Sequence, residues 1–134
     1  MTIDADRAAL GLADTSLFSA VEQQRPLSGH PPERIAVSVV TIAELRLGVL
    51  AAPDGATRAR RLETLTLADD LEPLPIDRSV AAAWAGLRLT LRDTGRRMPL
   101  NDSWIAATAL ALDLPVVTQD ADYDGVPGLQ VIRV

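Results

Sequence analysis

Residues 35–44 read Ile35-Ala36-Val37-Ser38-Val39-Val40-Thr41-Ile42-Ala43-Glu44, and within them the hydrophobic pattern changes from a strand's to a helix's. Ile35 to Val40 is a β-branched run of strand length. Thr41-Ile42-Ala43-Glu44 fits the Ser/Thr-x-x-Glu capping box that opens a helix. A strand running directly into a helix is the building unit of a parallel α/β sheet, whose neighbouring strands need a crossover between them. The same order recurs on both sides. Upstream, residues 9–13 (Ala9-Leu10-Gly11-Leu12-Ala13) form a short buried strand that Asp14-Thr15-Ser16 stops, and a helix follows from Thr15 to about Gln23. A Pro/Gly-rich loop, residues 26–32, then leads into the quoted stretch.

Downstream, Pro53-Asp54-Gly55 ends the helix that Thr41 opens, and a second helix over residues 56–67 completes a hairpin. Residues 71–76 carry Pro73 and Pro75, so a strand there is confined to an edge or is very short. Asp77 is a natural N-cap; Val80, Ala83, Trp84, Leu87 and Leu91 recur at helical spacing behind it, and Thr94-Gly95 terminates the run. A helix over 102–112, a buried strand over 114–118, a turn-rich acidic loop over 119–128 and a last strand over 129–134 complete the chain. With 134 residues there is room for one domain. Residues 1–8 have no hydrophobic period and read as a loose leader, leaving 9–134 as that domain.

Composition removes several kinds of chemistry. Cysteine is absent, which excludes a disulfide framework, thiolate zinc sites and a cysteine nucleophile. All 13 basic residues are arginine, so no P-loop lysine and no Schiff base can be built. The net charge of −5 offers no general basic footprint for nucleic acid. The acidic start of the chain lacks an apolar core of signal-peptide length, and apolar stretches elsewhere run only a few residues. A soluble, cytoplasmic protein without membrane contact is the expectation.

In open α/β sheets ligands bind beyond the carboxyl ends of the strands, and several acids fall there. Asp14 follows the first strand, Glu44 lies in the first turn after the second, Asp102 opens a helix, and Asp120 and Asp122 follow the strand over 114–118. Each acid alone has an ordinary explanation as a helix cap or a favourable charge at a helix start. Together, in a partly buried crevice, they would repel one another unless protonated or bound to a cation. Carboxylate-only ligation, with no cysteine and one isolated His30, points to a hard cation, Mg²⁺ or Mn²⁺, rather than zinc or copper. Such an ion, single or paired, suits phosphodiester hydrolysis.

Four stretches in order resemble the PIN-domain ribonucleases, and in particular the VapC toxins of type II toxin–antitoxin systems. They are Leu12-Ala13-Asp14-Thr15-Ser16, Val40-Thr41-Ile42-Ala43-Glu44-Leu45, Pro99-Leu100-Asn101-Asp102-Ser103-Trp104-Ile105-Ala106-Ala107 and Val116-Val117-Thr118-Gln119-Asp120-Ala121-Asp122-Tyr123. The resemblance spans nearly the whole chain and implies a PIN-like three-layer α/β/α sandwich with a central, mostly parallel sheet. It implies a metal-dependent endoribonuclease in which Asp14, Glu44, Asp102 and Asp120 hold Mg²⁺ or Mn²⁺, with Asp122 as an additional ligand and Thr118 as a supporting polar group. It further implies a structured RNA substrate, a transfer or ribosomal RNA, whose cleavage arrests translation. A homodimer silenced by a cognate VapB-type antitoxin completes what the resemblance implies. The stretch of about a dozen residues before Asp14 is longer than is usual in that family.

Other residues divide between roles. Arg96 and Arg97, just ahead of the third acidic motif, are positioned either to meet RNA phosphates or to be solvated surface. Ser16 either supports the metal site or begins a helix. His30 belongs to its Pro-rich loop. Trp84 fits a core position, and Trp104, about 200° around its helix from Asp102, serves packing or a dimer contact. Four aromatic side chains in all leave base stacking a minor source of RNA affinity. The rival from another class is a catalytically silent protein-binding module in which the acids only cap helices; a flap-type deoxyribonuclease is disfavoured because no insertion is available to thread a DNA end.

Overall fold

The computed structural model describes residues 9–134; the expected leader, residues 1–8, lies outside the described residues. Strand β1 (Leu10–Ala13) is followed by α1 (Thr15–Glu22), β2 (Arg34–Val37), α2 (Val39–Leu50), α3 (Gly55–Asp69), α4 (Arg78–Asp93), α5 (Leu100–Leu112), β3 (Val116–Thr118), a single 3₁₀ turn (Ala121–Tyr123) and β4 (Val131–Arg133). The four strands lie in the order β2-β1-β3-β4. Every pairing among them is parallel.

Alternation along the strands sends successive side chains to opposite faces, and that builds the three layers. Leu12 and Val116 join Val80, Leu87 and Leu91 of α4 and Ile105, Ala106 and Ala109 of α5 in the larger core. Ala13 and Val117 point the other way, onto Leu17 of α1. Leu45 of α2 packs with Leu65 and Ala68 of α3, with Phe18 of α1 against them. Close approach of β1 and β3 requires glycine at position 11, where a Cβ would stand 2.5 Å from Val117 Cγ2 and 2.9 Å from Pro32 Cγ.

Most expected elements are present, and the differences have physical causes. The second strand stops at Val37 instead of continuing to Val40, because Ser38 leaves it to cap α2, its Oγ accepting from Val40 N at 3.0 Å. Thr41 is therefore no cap. It is a fully buried helical residue, and Glu44 falls in the second turn of α2 rather than the first. Asp102 does not open its helix either: α5 begins at Leu100 behind Pro99, which offers no side-chain cap bond. Between residues 71 and 76 the two prolines leave one parallel bridge, Leu74 to Ser38, outside the named strands. The third and fourth strands are shorter than expected. Asp77 caps α4 as expected, accepting from Val80 N at 2.9 Å, and Gly95 at φ 66° follows its end. Trp104 packs on Trp84, ring centroids 4.3 Å apart and planes 6° from parallel, joining α5 to α4.

Candidate active site

The sheet delivers its acids to one edge because all its strands run the same way. Asp14 leaves the carboxyl end of β1 and Asp120 that of β3, two strands that pair directly. Asp14 is almost wholly buried and caps α1. Its Oδ1 accepts from Ser16 N at 3.1 Å and Ser16 Oγ at 2.6 Å, and its Oδ2 accepts from Thr118 Oγ1 at 2.8 Å. Thr118, fully buried, also accepts from Asp120 N at 2.8 Å, while Ser16 Oγ accepts from Gln119 N at 2.9 Å. Two hydroxyls thus lock the ends of β1 and β3 into one polar unit. Burial pushes the Asp14 carboxyl above its ordinary value, the bonds from Ser16 and Thr118 pull it back, and the charge of Asp120 pushes it up again.

Asp102 enters from the first turn of α5. Carboxylate oxygens of Asp102, Asp120 and Asp122 come within 4.8 Å of one another. Asp102 is pushed up to about 7, first by burial and then by a side-chain hydrogen bond with Asp122. The Tyr123 hydroxyl, donating to it at 3.2 Å, works in the opposite sense, and the charges of Asp120 and Asp122 add to the rise. Asp120 Oδ1 accepts from Asp122 N at 3.0 Å, so the two acids are held on one tight turn.

Glu44 lies outside that trio. Its Oε1 accepts from Thr15 Oγ1 at 2.7 Å, and Thr15 in turn stands 3.2 Å from Thr41 Oγ1. Tyr123 ties the two regions together. It is fully buried, and burial, the charges of Asp14 and Asp102, the bond to Asp102 and the charge of Glu44 all hold its hydroxyl protonated. Tyr123 and Thr15 are the functional-site side chains that sequence reasoning passed over. The signal for Thr15 was its place beside Asp14; nothing local marks Tyr123 as the donor beneath the acids.

The cap explanation now divides by residue. Asp14 and Asp120 do cap, each accepting from a backbone N–H two residues on, whereas Glu44 and Asp102 cap nothing. Among the described residues the ion pairs are Arg92–Asp93 and Arg133–Asp124, both on the surface, so no arginine neutralises the carboxylate cluster. Arg96 donates only to the Asp122 carbonyl, at 3.2 Å, and Arg97 is exposed. Crowded, uncompensated oxygen donors fit a hard divalent cation. His30 is exposed in its loop, away from these groups.

Residues 12–129 match the family model of the PIN domain. The chain belongs to the PIN-domain family. It is 49% identical over 130 residues to Ribonuclease VapC5 of Mycobacterium tuberculosis, covering 94% of this chain and 96% of that protein. It is also 49% identical over 128 residues to Ribonuclease VapC4 of the same organism, covering 92% and 95%. The fold matches the crystal structure of VapBC-5, a member of the VapBC family of toxin–antitoxin systems from Mycobacterium tuberculosis, with a TM-score of 0.82 and 45% identity over 94% of this chain and 99% of that one. Among the described residues no helix is long and apolar enough to cross a membrane.

Proposed function

We propose that this PIN-domain protein is the toxin of a type II toxin–antitoxin system, a metal-dependent endoribonuclease that cuts structured RNA, a transfer or ribosomal RNA, in the cytoplasm and so inhibits translation. The observation that carries the reading is the convergence of Asp14, Asp102, Asp120 and Asp122 from three separate segments onto one strand edge, with no arginine among the described residues in an ion pair with them. Asp14, Glu44, Asp102 and Asp120 would hold Mg²⁺ or Mn²⁺, with Asp122 as a further ligand. Bound there, such a cation would supply charge neutralisation at a phosphoryl group and a water of lowered pKa.

The chain's own groups do the rest. Ser16 and Thr118 fix both oxygens of Asp14, so that carboxylate keeps its direction without reorganising. Tyr123 orients Asp102 from below, and Thr15 does the same for Glu44. Arg96 and Arg97 lie at the edge where RNA phosphates arrive. A VapB-type antitoxin and a second copy of the chain are the protein partners in this reading. Apolar side chains left open on the helices, Val21, Leu47, Leu50, Leu62 and Leu67, support such coverage.

A catalytically silent binding module is the second reading, favoured by the capping bonds of Asp14 and Asp120. Incubating the purified protein with total cellular RNA, with and without chelator, and mapping new 5′ ends separates the two. Discrete new ends that chelator abolishes support the nuclease; intact RNA with either metal supports the module.

A further inference from the structure

Outside the carboxylate cluster, four arginines gather on the last two turns of α4 and the loop behind it. Arg88 and Arg92, four residues apart, lie on one face of α4. Gly95, at φ 66°, turns the chain back so that Arg96 and Arg97 join them. With Leu91 and Met98 the four arginines line a cleft of about 410 Å³. In a chain of net charge −5 this is a local reversal of sign. Among the described residues the one ion pair these arginines make is Arg92 with Asp93, and both of those side chains are largely solvent-exposed.

Two of the four are already positioned. The Arg88 guanidinium lies 5.6 Å from the centre of the Trp84 ring, a cation–π contact that narrows its freedom before any ligand arrives. Arg96 gives one Nη2 bond to the Asp122 carbonyl, at 3.2 Å, while its Nε is buried with no partner. A buried charged donor left unsatisfied is costly and is the group a ligand oxygen would complete. Planar guanidinium edges suit phosphate oxygens, which they can bind in pairs. The bond from Arg96 to Asp122 also places this cleft directly beside the carboxylate trio.

We infer that Arg88, Arg92, Arg96 and Arg97 form a receptor for backbone phosphates of the RNA next to the cut. The inference rests on the ribonuclease reading for its choice of ligand. A polyanion approaching the acidic edge meets repulsion, and a neighbouring row of guanidiniums supplies the opposing attraction and sets where along the strand the carboxylates act.

The test is binding of a fluorescent single-stranded RNA of about 15 nucleotides, measured by anisotropy in chelator across a salt series. Arg88→Gln/Arg92→Gln/Arg97→Gln is compared with Arg58→Gln/Arg60→Gln/Arg78→Gln, which makes the same change in net charge at exposed positions elsewhere. The cleft variant should raise Kd tenfold or more and flatten the slope of log K against log salt by about 2, since each phosphate contact to a single strand contributes about 0.7. The other variant should keep the wild-type slope. Equal loss in both variants, no loss in either, failure of the wild type to bind RNA, or competition by poly-glutamate as strong as by RNA would overturn the inference. Cleft-dependent binding of this RNA, with total cellular RNA left uncut when Mg²⁺ is restored, would remove the nuclease reading and leave the receptor standing. Unchanged melting temperatures confirm that both variants fold, and the single Arg88→Gln variant should show a smaller loss of the same sign.

Discussion

Replacing Asp102 with asparagine should make the metal-free protein more stable at pH 8, not less. The carboxyl is pushed up to about 7 from an ordinary 3.8 by burial, by a side-chain hydrogen bond with Asp122 and by the charges of Asp120 and Asp122. Between those two values the folded chain holds a proton that the unfolded chain has released, so stability falls as pH rises through this window and levels off above it. Unscreened, a displacement of that size is worth about 4 kcal/mol. Asp102 is only half-buried, and solvent screening reduces the figure to about 1–2 kcal/mol. Asparagine keeps an oxygen for the Tyr123 hydroxyl and carries no charge at any pH. For a chain of this length the gain corresponds to roughly 3–8 °C in Tm. Thermal melts of wild type and Asp102→Asn, in chelator at pH 5 and pH 8, should show a difference that grows with pH. Adding Mg²⁺ should raise the wild type and close the gap, because a ligand bound only by the folded state stabilises it. An asparagine variant that melts below wild type at pH 8, or a difference independent of pH, would refute the reasoning.

Asp14→Asn should abolish chelator-sensitive RNA cleavage while the far-UV circular dichroism stays that of wild type, since the cap oxygen and the Thr118 partner survive in part; retained cleavage in the pure variant contradicts its role. Tyr123→Phe removes the one donor that pulls Asp102 down, so the acid limb of the pH–rate profile should move to higher pH, with about 1 kcal/mol lost in urea unfolding. Ser38→Ala deletes the cap of α2 at a fully buried position and should cost about 1–2 kcal/mol in the same experiment. Ile105→Ala, in the core beneath α5, should cost about 3–4 kcal/mol, and a cost under 1 kcal/mol would contradict the packing described.

The parts of the fold that were legible are those whose causes are local. Asp77 and Gly95 bracket α4 with signals that act within a few residues, and Asp14 marks the end of β1 for the same reason. Where two local signals compete, pattern alone does not choose between them. Ser38 and Thr41 both fit a cap, and the outcome depends on Thr41 being buried beside Thr15, a contact made across 26 residues of chain. Glu44 is displaced by a turn for that reason alone. Asp102 fits a helix-opening residue until Pro99 is seen to start α5 earlier. The acidic loop after β3 reads as solvated, and its tyrosine is buried because the loop folds back under the acids. The Arg96 bond to Asp122 is long-range in the same sense and leaves no trace in spacing. The convergence of acids was legible as order and strand-end placement; which of them touch required the parallel register of β1 and β3.

Anomalous scattering from crystals grown with Mn²⁺ tests the central claim most directly. A manganese peak in contact with carboxylate oxygens of Asp102 and Asp120, and absent from crystals of Asp102→Asn, is the expected result. A lattice soaked to millimolar Mn²⁺ with no peak at that strand edge, or with peaks only elsewhere, would contradict it.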